Sequence, residues 1–153
     1  MEEQLKIFLL KLLEESVSAS KIFKRNLLKE YLQTLILDFI YSHKDYNGLV
    51  FYGGSSLAHC YGLPRLSEDL DFVDLKKKVD LKKMAEEIKS YFKEKLGLDL
   101  NFSVQKFRIY LKFSILKELN LAEVGESDQL FLKVEIFSRF DFCRNYKIEL
   151  APV

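Results

Sequence analysis

The sequence predicts an α+β or α/β fold in which helices lead and antiparallel strands close the chain, and three observations predict it. Two stretches of apolar residues at helical spacing open the chain. Short runs rich in β-formers then alternate with helical segments, and after Asp99 the β texture dominates. At 153 residues the chain is about one domain long and can bury a real core. We expect a single domain over 1–153, with N-terminal helices over 1–45 and a mixed core over 46–153.

In chain order, Leu5, Phe8, Leu9, Leu12 and Leu13 mark a helix over 4–15. A second helix runs from about Ser20 to Ser42, with Leu27, Leu28, Tyr31, Leu32, Leu35, Ile36, Phe39 and Ile40 as a broad apolar stripe, ending at the turn cluster Asp45-Tyr46-Asn47-Gly48. Leu49-Val50-Phe51-Tyr52 has the length and composition of a buried strand. Gly53-Gly54-Ser55-Ser56 breaks it, and Leu57 to Tyr61 reads as a short helix that Gly62-Leu63-Pro64 ends. Leu70 to Val73 is the next strand. Asp80 is placed to cap a helix reaching about Leu96, which Gly97 stops. Strands follow within 99–116, over Leu130 to Phe137, and over Tyr146 to Leu150, with a polar turn from Asn120 to Gln129.

Composition excludes several function classes. A net charge of +1 offers no global basic field for nucleic acid. The run Lys76, Lys77, Lys78, Lys82 and Lys83 could hold a polyanion locally, or could be a solvated loop and helix start. Cys60 and Cys143 make no disulfide framework, and with His43 and His59 they show no zinc-ligand spacing. The acidic start Met1-Glu2-Glu3 lacks the pattern of a signal peptide, and no apolar run approaches the ~18 residues of a membrane span. A cytoplasmic, reduced setting is expected.

Three elements carry chemistry. A strand leading into Gly53-Gly54-Ser55-Ser56 and a helix lets backbone approach a ligand closely and aims free N–H donors at it, which suits phosphates; it also makes an ordinary turn with a serine cap. Asp69 and Asp71 stand two apart on a strand, so both carboxylates project from one face. Like charges held together call for a cation, and Mg²⁺ takes carboxylates together with substrate phosphates; a solvated strand edge is the plain alternative. Glu135, in Leu132-Lys133-Val134-Glu135-Ile136, shares its face with Lys133 and Phe137, and a lone charge there can simply face solvent.

Taken together, these elements resemble the polymerase β-like nucleotidyltransferase superfamily, and GGSSLAHCYGLPRLSEDLDF resembles the signature of the AbiEii/AbiGii toxin family. Gly53, Gly54, Ser55, Arg65, Ser67, Asp69 and Asp71 fall on that pattern, and LKVEI is similar to the family's third-acid strand. The resemblance implies a nucleotidyltransferase fold with a mixed or antiparallel sheet flanked by helices. It implies Asp69, Asp71 and Glu135 as catalytic residues and ligands of Mg²⁺ or Mn²⁺, with Gly53, Gly54, Ser55, Ser56, Arg65 and Ser67 around the nucleotide. The implied reaction moves NMP from an NTP to a tRNA or protein hydroxyl, in a toxin–antitoxin or phage-defence setting with a cognate antitoxin and no membrane. Arg65 could instead pair structurally with Glu68 or Asp69. Family members also carry a C-terminal helical region with further motifs, and nothing here corresponds to it. A non-catalytic nucleotide- or partner-binding module of the same fold is therefore the rival reading. A sugar transferase using Asp-x-Asp is a weaker third, since the Gly-Ser turn ahead of the acids and the short chain speak against it.

Overall fold

The computed structural model describes all residues except 17, 65–67, 139–146 and 152–153. Helices α1 (Glu3–Glu14) and α2 (Lys21–Ser42) open the chain. There follow β1 (Val50–Tyr52), α3 (Gly53–Tyr61), β2 (Asp69–Val73), α4 (Leu81–Leu96), β3 (Asn101–Gln105), β4 (Arg108–Ser114) and β5 (Gln129–Phe137). The five strands form one mixed sheet in the order β1-β2-β5-β4-β3. Only the β2–β5 pair is parallel. The expected class therefore holds: four helices against a mixed sheet.

Alternation along the strands sorts the sheet into two faces. Leu70, Phe72, Ile109, Leu111, Phe113, Leu132, Val134 and Ile136 are buried beneath the helices. There they meet Leu5, Leu9 and Leu13 of α1, Leu28, Leu32, Ile36 and Ile40 of α2, and Met84, Ile88 and Phe92 of α4, all in one continuous core. Phe92 meets Phe113 edge-on at 5.3 Å. Phe51 stacks on Phe72 at 5.1 Å, which ties the short β1 to the core. The opposite face carries the acids.

Helix ends follow local chemistry. The Ser20 side chain accepts from Phe23 N at the start of α2. Asp80 Oδ1 accepts from Lys82 N and Lys83 N at 3.1 and 3.2 Å, and Gly97 ends α4 in the left-handed conformation at φ 59°. Asp80→Ala removes both cap bonds and is expected to cost about 1 kcal/mol, read from denaturant midpoints. Lys76, Lys77, Lys78, Lys82 and Lys83 are all exposed, on the loop after β2 and the first turn of α4.

Two expectations change. The helix thought to begin near Leu57 starts at Gly53, so Gly53-Gly54-Ser55-Ser56 forms its first turn instead of a break before it. The strand expected over 146–150 is absent at 147–150, and Tyr146 lies outside the described residues. Lys147 to Leu150 are exposed, so the alternation of Lys147, Ile148, Glu149 and Leu150 has no sheet to pair with.

Candidate active site

Register builds the site. Across the parallel pair, Asp69 stands opposite Lys133 and Asp71 opposite Glu135. Across β4–β5, Glu135 stands opposite Arg108. On the other flank, Tyr52 at the end of β1 pairs with Asp71. Because paired residues project the same way, Tyr52, Asp69, Asp71, Lys133, Glu135 and Arg108 share the face turned away from the core. Leu70 and Phe72 are fully buried on the other side, as the Asp-Leu-Asp-Phe alternation predicts.

The acids are not three free carboxylates. Lys133 Nζ lies 3.2 Å from Asp69 Oδ2 and 2.8 Å from Glu135 Oε1, bridging the two strands. Arg108 Nε sits 3.0 Å from the same Glu135 oxygen, an ion pair without the alignment of a hydrogen bond. The Arg108 guanidinium also lies over the Phe107 ring at 4.6 Å. Glu135 is only 8% exposed, so it is not the solvent-facing residue its half-polar strand allows. Burial pulls its carboxyl upward, but Lys133 and Arg108 outweigh that and hold it below the usual carboxylate range. Asp71 goes the other way. Burial, then the charges of Glu135 and Asp69, push it from 3.8 up to about 6.

That shift has a signed consequence for stability. Folded Asp71 keeps its proton to about pH 6, whereas the unfolded chain releases it near 3.8. The folded state therefore binds more protons in this window, and Asp71's contribution to stability is lost as pH rises through about 6. In chelator, the unfolding free energy of the wild type minus that of Asp71→Asn is expected to be larger at pH 4.5 than at pH 7. A flat difference would contradict the buried like-charge cluster.

Gly53 explains how the helix start reaches the acids. Its φ of +81° is one that side-chain-bearing residues rarely adopt, and a Cβ there would lie 2.8 Å from Asp71 Oδ2. The first turn of α3 is thereby set against the β2 carboxylates. Ser55 is buried and its Oγ donates to the Asp69 backbone carbonyl, so this hydroxyl fastens helix to strand. The capping role considered for serine is not realised: the cap position is Tyr52, with no side-chain cap bond. Further along, His59 Nε2 donates to Gln33 Oε1 at 3.0 Å, which anchors α3 to α2. Gly54 and Ser56 also lie in this first turn, Ser56 being buried. Arg65 and Ser67 lie outside the described residues.

The structure thus brings together Asp69, Asp71, Glu135 and the Gly53–Ser56 turn. Sequence reasoning missed Lys133 and Arg108 as parts of the same cluster. Lys133 was findable, since it shares a strand face with Glu135 two residues on. Arg108 was not, because only the β4–β5 register places it. The cluster lies on the sheet face turned away from helices α1, α2 and α4. A cavity of about 1160 Å³ lies elsewhere, along β1, and is lined by Tyr41, Ser56, Tyr61 and Lys147–Ala151 among others but by none of the three acids.

In kind the donor set suits a hard divalent cation: oxygen ligands held close together, with burial first and then the charges of Glu135 and Asp69 raising Asp71 to about 6. As the side chains stand, no three Asp, Glu, His or Cys among the described residues converge as a metal site. The Lys133 ammonium occupies the space between Asp69 and Glu135.

A mixed sheet bearing paired acids, with a Gly-headed helix start against them, is the arrangement of a nucleotidyltransferase-like fold. The chain belongs to the AbiEii family: the family model described as nucleotidyl transferase AbiEii toxin, Type IV TA system, matches residues 37–149. It is thus a member of a family of nucleotidyltransferase toxins from toxin–antitoxin systems. A search of curated proteins finds no match. Among the described residues no helix is long and apolar enough to cross a membrane.

Proposed function

We propose that this chain moves a nucleoside monophosphate from an NTP to a hydroxyl of a tRNA or a protein, with Mg²⁺ or Mn²⁺ as cofactor, in the cytoplasm. The observation that carries the reading is the register that sets Asp71 beside Glu135, with the Gly53 turn packed on Asp71. Asp69, Asp71 and Glu135 would hold the cation, which would neutralise triphosphate charge and ease the departure of pyrophosphate.

The chain's own groups supply the rest. Backbone N–H groups of Gly53, Gly54 and Ser55 lack helical partners and meet the β- and γ-phosphates at the positive end of α3. With the Ser55 hydroxyl turned to Asp69, backbone donors carry this grip. Glu135, its charge paired with Arg108, accepts the proton of the acceptor hydroxyl as its oxygen attacks the α-phosphorus. The bond from that phosphorus to the bridging oxygen breaks, and pyrophosphate leaves. Arg65 and Ser67 would orient the aspartates or meet phosphate. A cognate antitoxin is the partner that family membership suggests.

The test is transfer of label from each α-labelled NTP to tRNA or protein, with and without Mg²⁺. Metal-dependent labelling of either acceptor supports the reading, and none with any NTP contradicts it. A non-catalytic nucleotide- or partner-binding module remains the second reading, favoured by the lack of three converging ligands among the described residues.

A further inference from the structure

Lys133 is the feature of this face that the reaction does not use. A lysine at 3.2 Å from Asp69 and 2.8 Å from Glu135 stands where the proposed cation must come close to both. Its stem is pinned by the β4–β5 and β2–β5 ladders, at the position opposite both Asp69 and Tyr110. Its side chain is 28% exposed, so the ammonium has a path to solvent that Glu135, at 11% for its side chain, lacks. Two cations cannot share a gap of this size without repulsion of several kcal/mol in a partly buried setting.

We propose that Lys133 is an internal counter-cation: it holds Asp69 and Glu135 together in the metal-free protein, is displaced when a divalent ion binds, and then meets the nucleotide's phosphates. This rests on the metal-dependent reading above. Lys133 is a positioning residue here, acting on the acids before the metal binds and on the substrate afterwards. Four methylenes and a compact, strongly hydrated ammonium suit it to swing between two anions, which a planar guanidinium such as Arg108 does less readily. The exchange replaces one positive charge among the acids with two, so the cluster is never left as three uncompensated carboxylates.

The inference predicts a split that a purely structural lysine would not give. By electron paramagnetic resonance, Lys133→Met is expected to bind Mn²⁺ about tenfold more tightly than the wild type, since no ion pairs must break first. The same variant is expected to bind Mg²⁺-NTP about tenfold more weakly, having lost one phosphate contact. Weaker or unchanged Mn²⁺ affinity in Lys133→Met would overturn the proposal. Asp71→Asn, run beside it, separates the two failures. If the wild type binds Mn²⁺ through Asp71 but Lys133→Met leaves that affinity alone, only the role of Lys133 falls. If neither the wild type nor Lys133→Met binds Mn²⁺, the metal reading falls with it.

Should Lys133→Met fail to fold, the wild type still gives an answer. Amine acylation at Lys133, followed by peptide mass spectrometry, is expected to rise severalfold in saturating Mg²⁺ as the ammonium leaves its ion pairs. An unchanged or lower rate would contradict displacement.

Discussion

Asp71→Asn is expected to abolish Mg²⁺-dependent NTP binding while making the metal-free protein more stable. Loss of a partner that merely supports a metal ligand costs about 10–100-fold, so removing a ligand should cut transfer by at least about a hundredfold. The gain in stability has a separate cause. Asp71 is pushed from 3.8 to about 6 by burial and by Glu135 and Asp69, so ionising it at neutral pH opposes folding. At about 1.4 kcal/mol per pH unit the upper bound is near ~3 kcal/mol, and relaxation of the site should leave about 1–2. For a domain of this size that is a rise in Tm of a few degrees. An asparagine fits the same space, and its amide can still donate to Glu135. A functional residue whose removal stabilises the fold is the signature of a site awaiting a cation; a destabilised Asp71→Asn would mean Asp71 is structural.

Gly53→Ala carries the second large effect. The left-handed φ of +81° costs a side chain about 1–2 kcal/mol, and the new Cβ would lie 2.8 Å from Asp71 Oδ2. Either that carboxylate or the first turn of α3 must move, and the proposed reaction needs both for the triphosphate. We expect about 2–3 kcal/mol of destabilisation together with at least a tenfold loss of Mg²⁺-NTP affinity. Gly62→Ala is the matched control. Its φ of +68° imposes similar strain, but nothing lies within 4 Å of its Cβ, so stability should drop while nucleotide affinity stays. Equal losses of affinity in both variants would show that strain, not the approach to Asp71, is what matters.

These two residues also show what the sequence could reveal. Helices with apolar stripes and side-chain caps were legible because their causes are local: Ser20 and Asp80 cap, Gly97 stops, and Leu28, Leu32 and Ile36 recur at helical spacing. The outward face of Asp69 and Asp71 was legible from two-residue alternation against Leu70 and Phe72. Where α3 begins was not, because glycines read as breakers until a helix start packs them against a neighbouring strand. The burial of Glu135 and its contact with Arg108 depend on β5 lying between β2 and β4. Nothing near Glu135 in sequence specifies that neighbourhood; it comes from long-range pairing. The closing strand expected over 146–150 is missing at 147–150 for the same reason in reverse, its local pattern finding no partner among the described residues.

The most direct test of the central claim is calorimetric titration of the chain with ATP, GTP, CTP and UTP, with and without Mg²⁺, beside Asp71→Asn. Binding of at least one NTP that requires both Mg²⁺ and Asp71 is the predicted result. Binding that is indifferent to Mg²⁺ and unchanged in Asp71→Asn would contradict it, placing the nucleotide away from the β2–β5 acids.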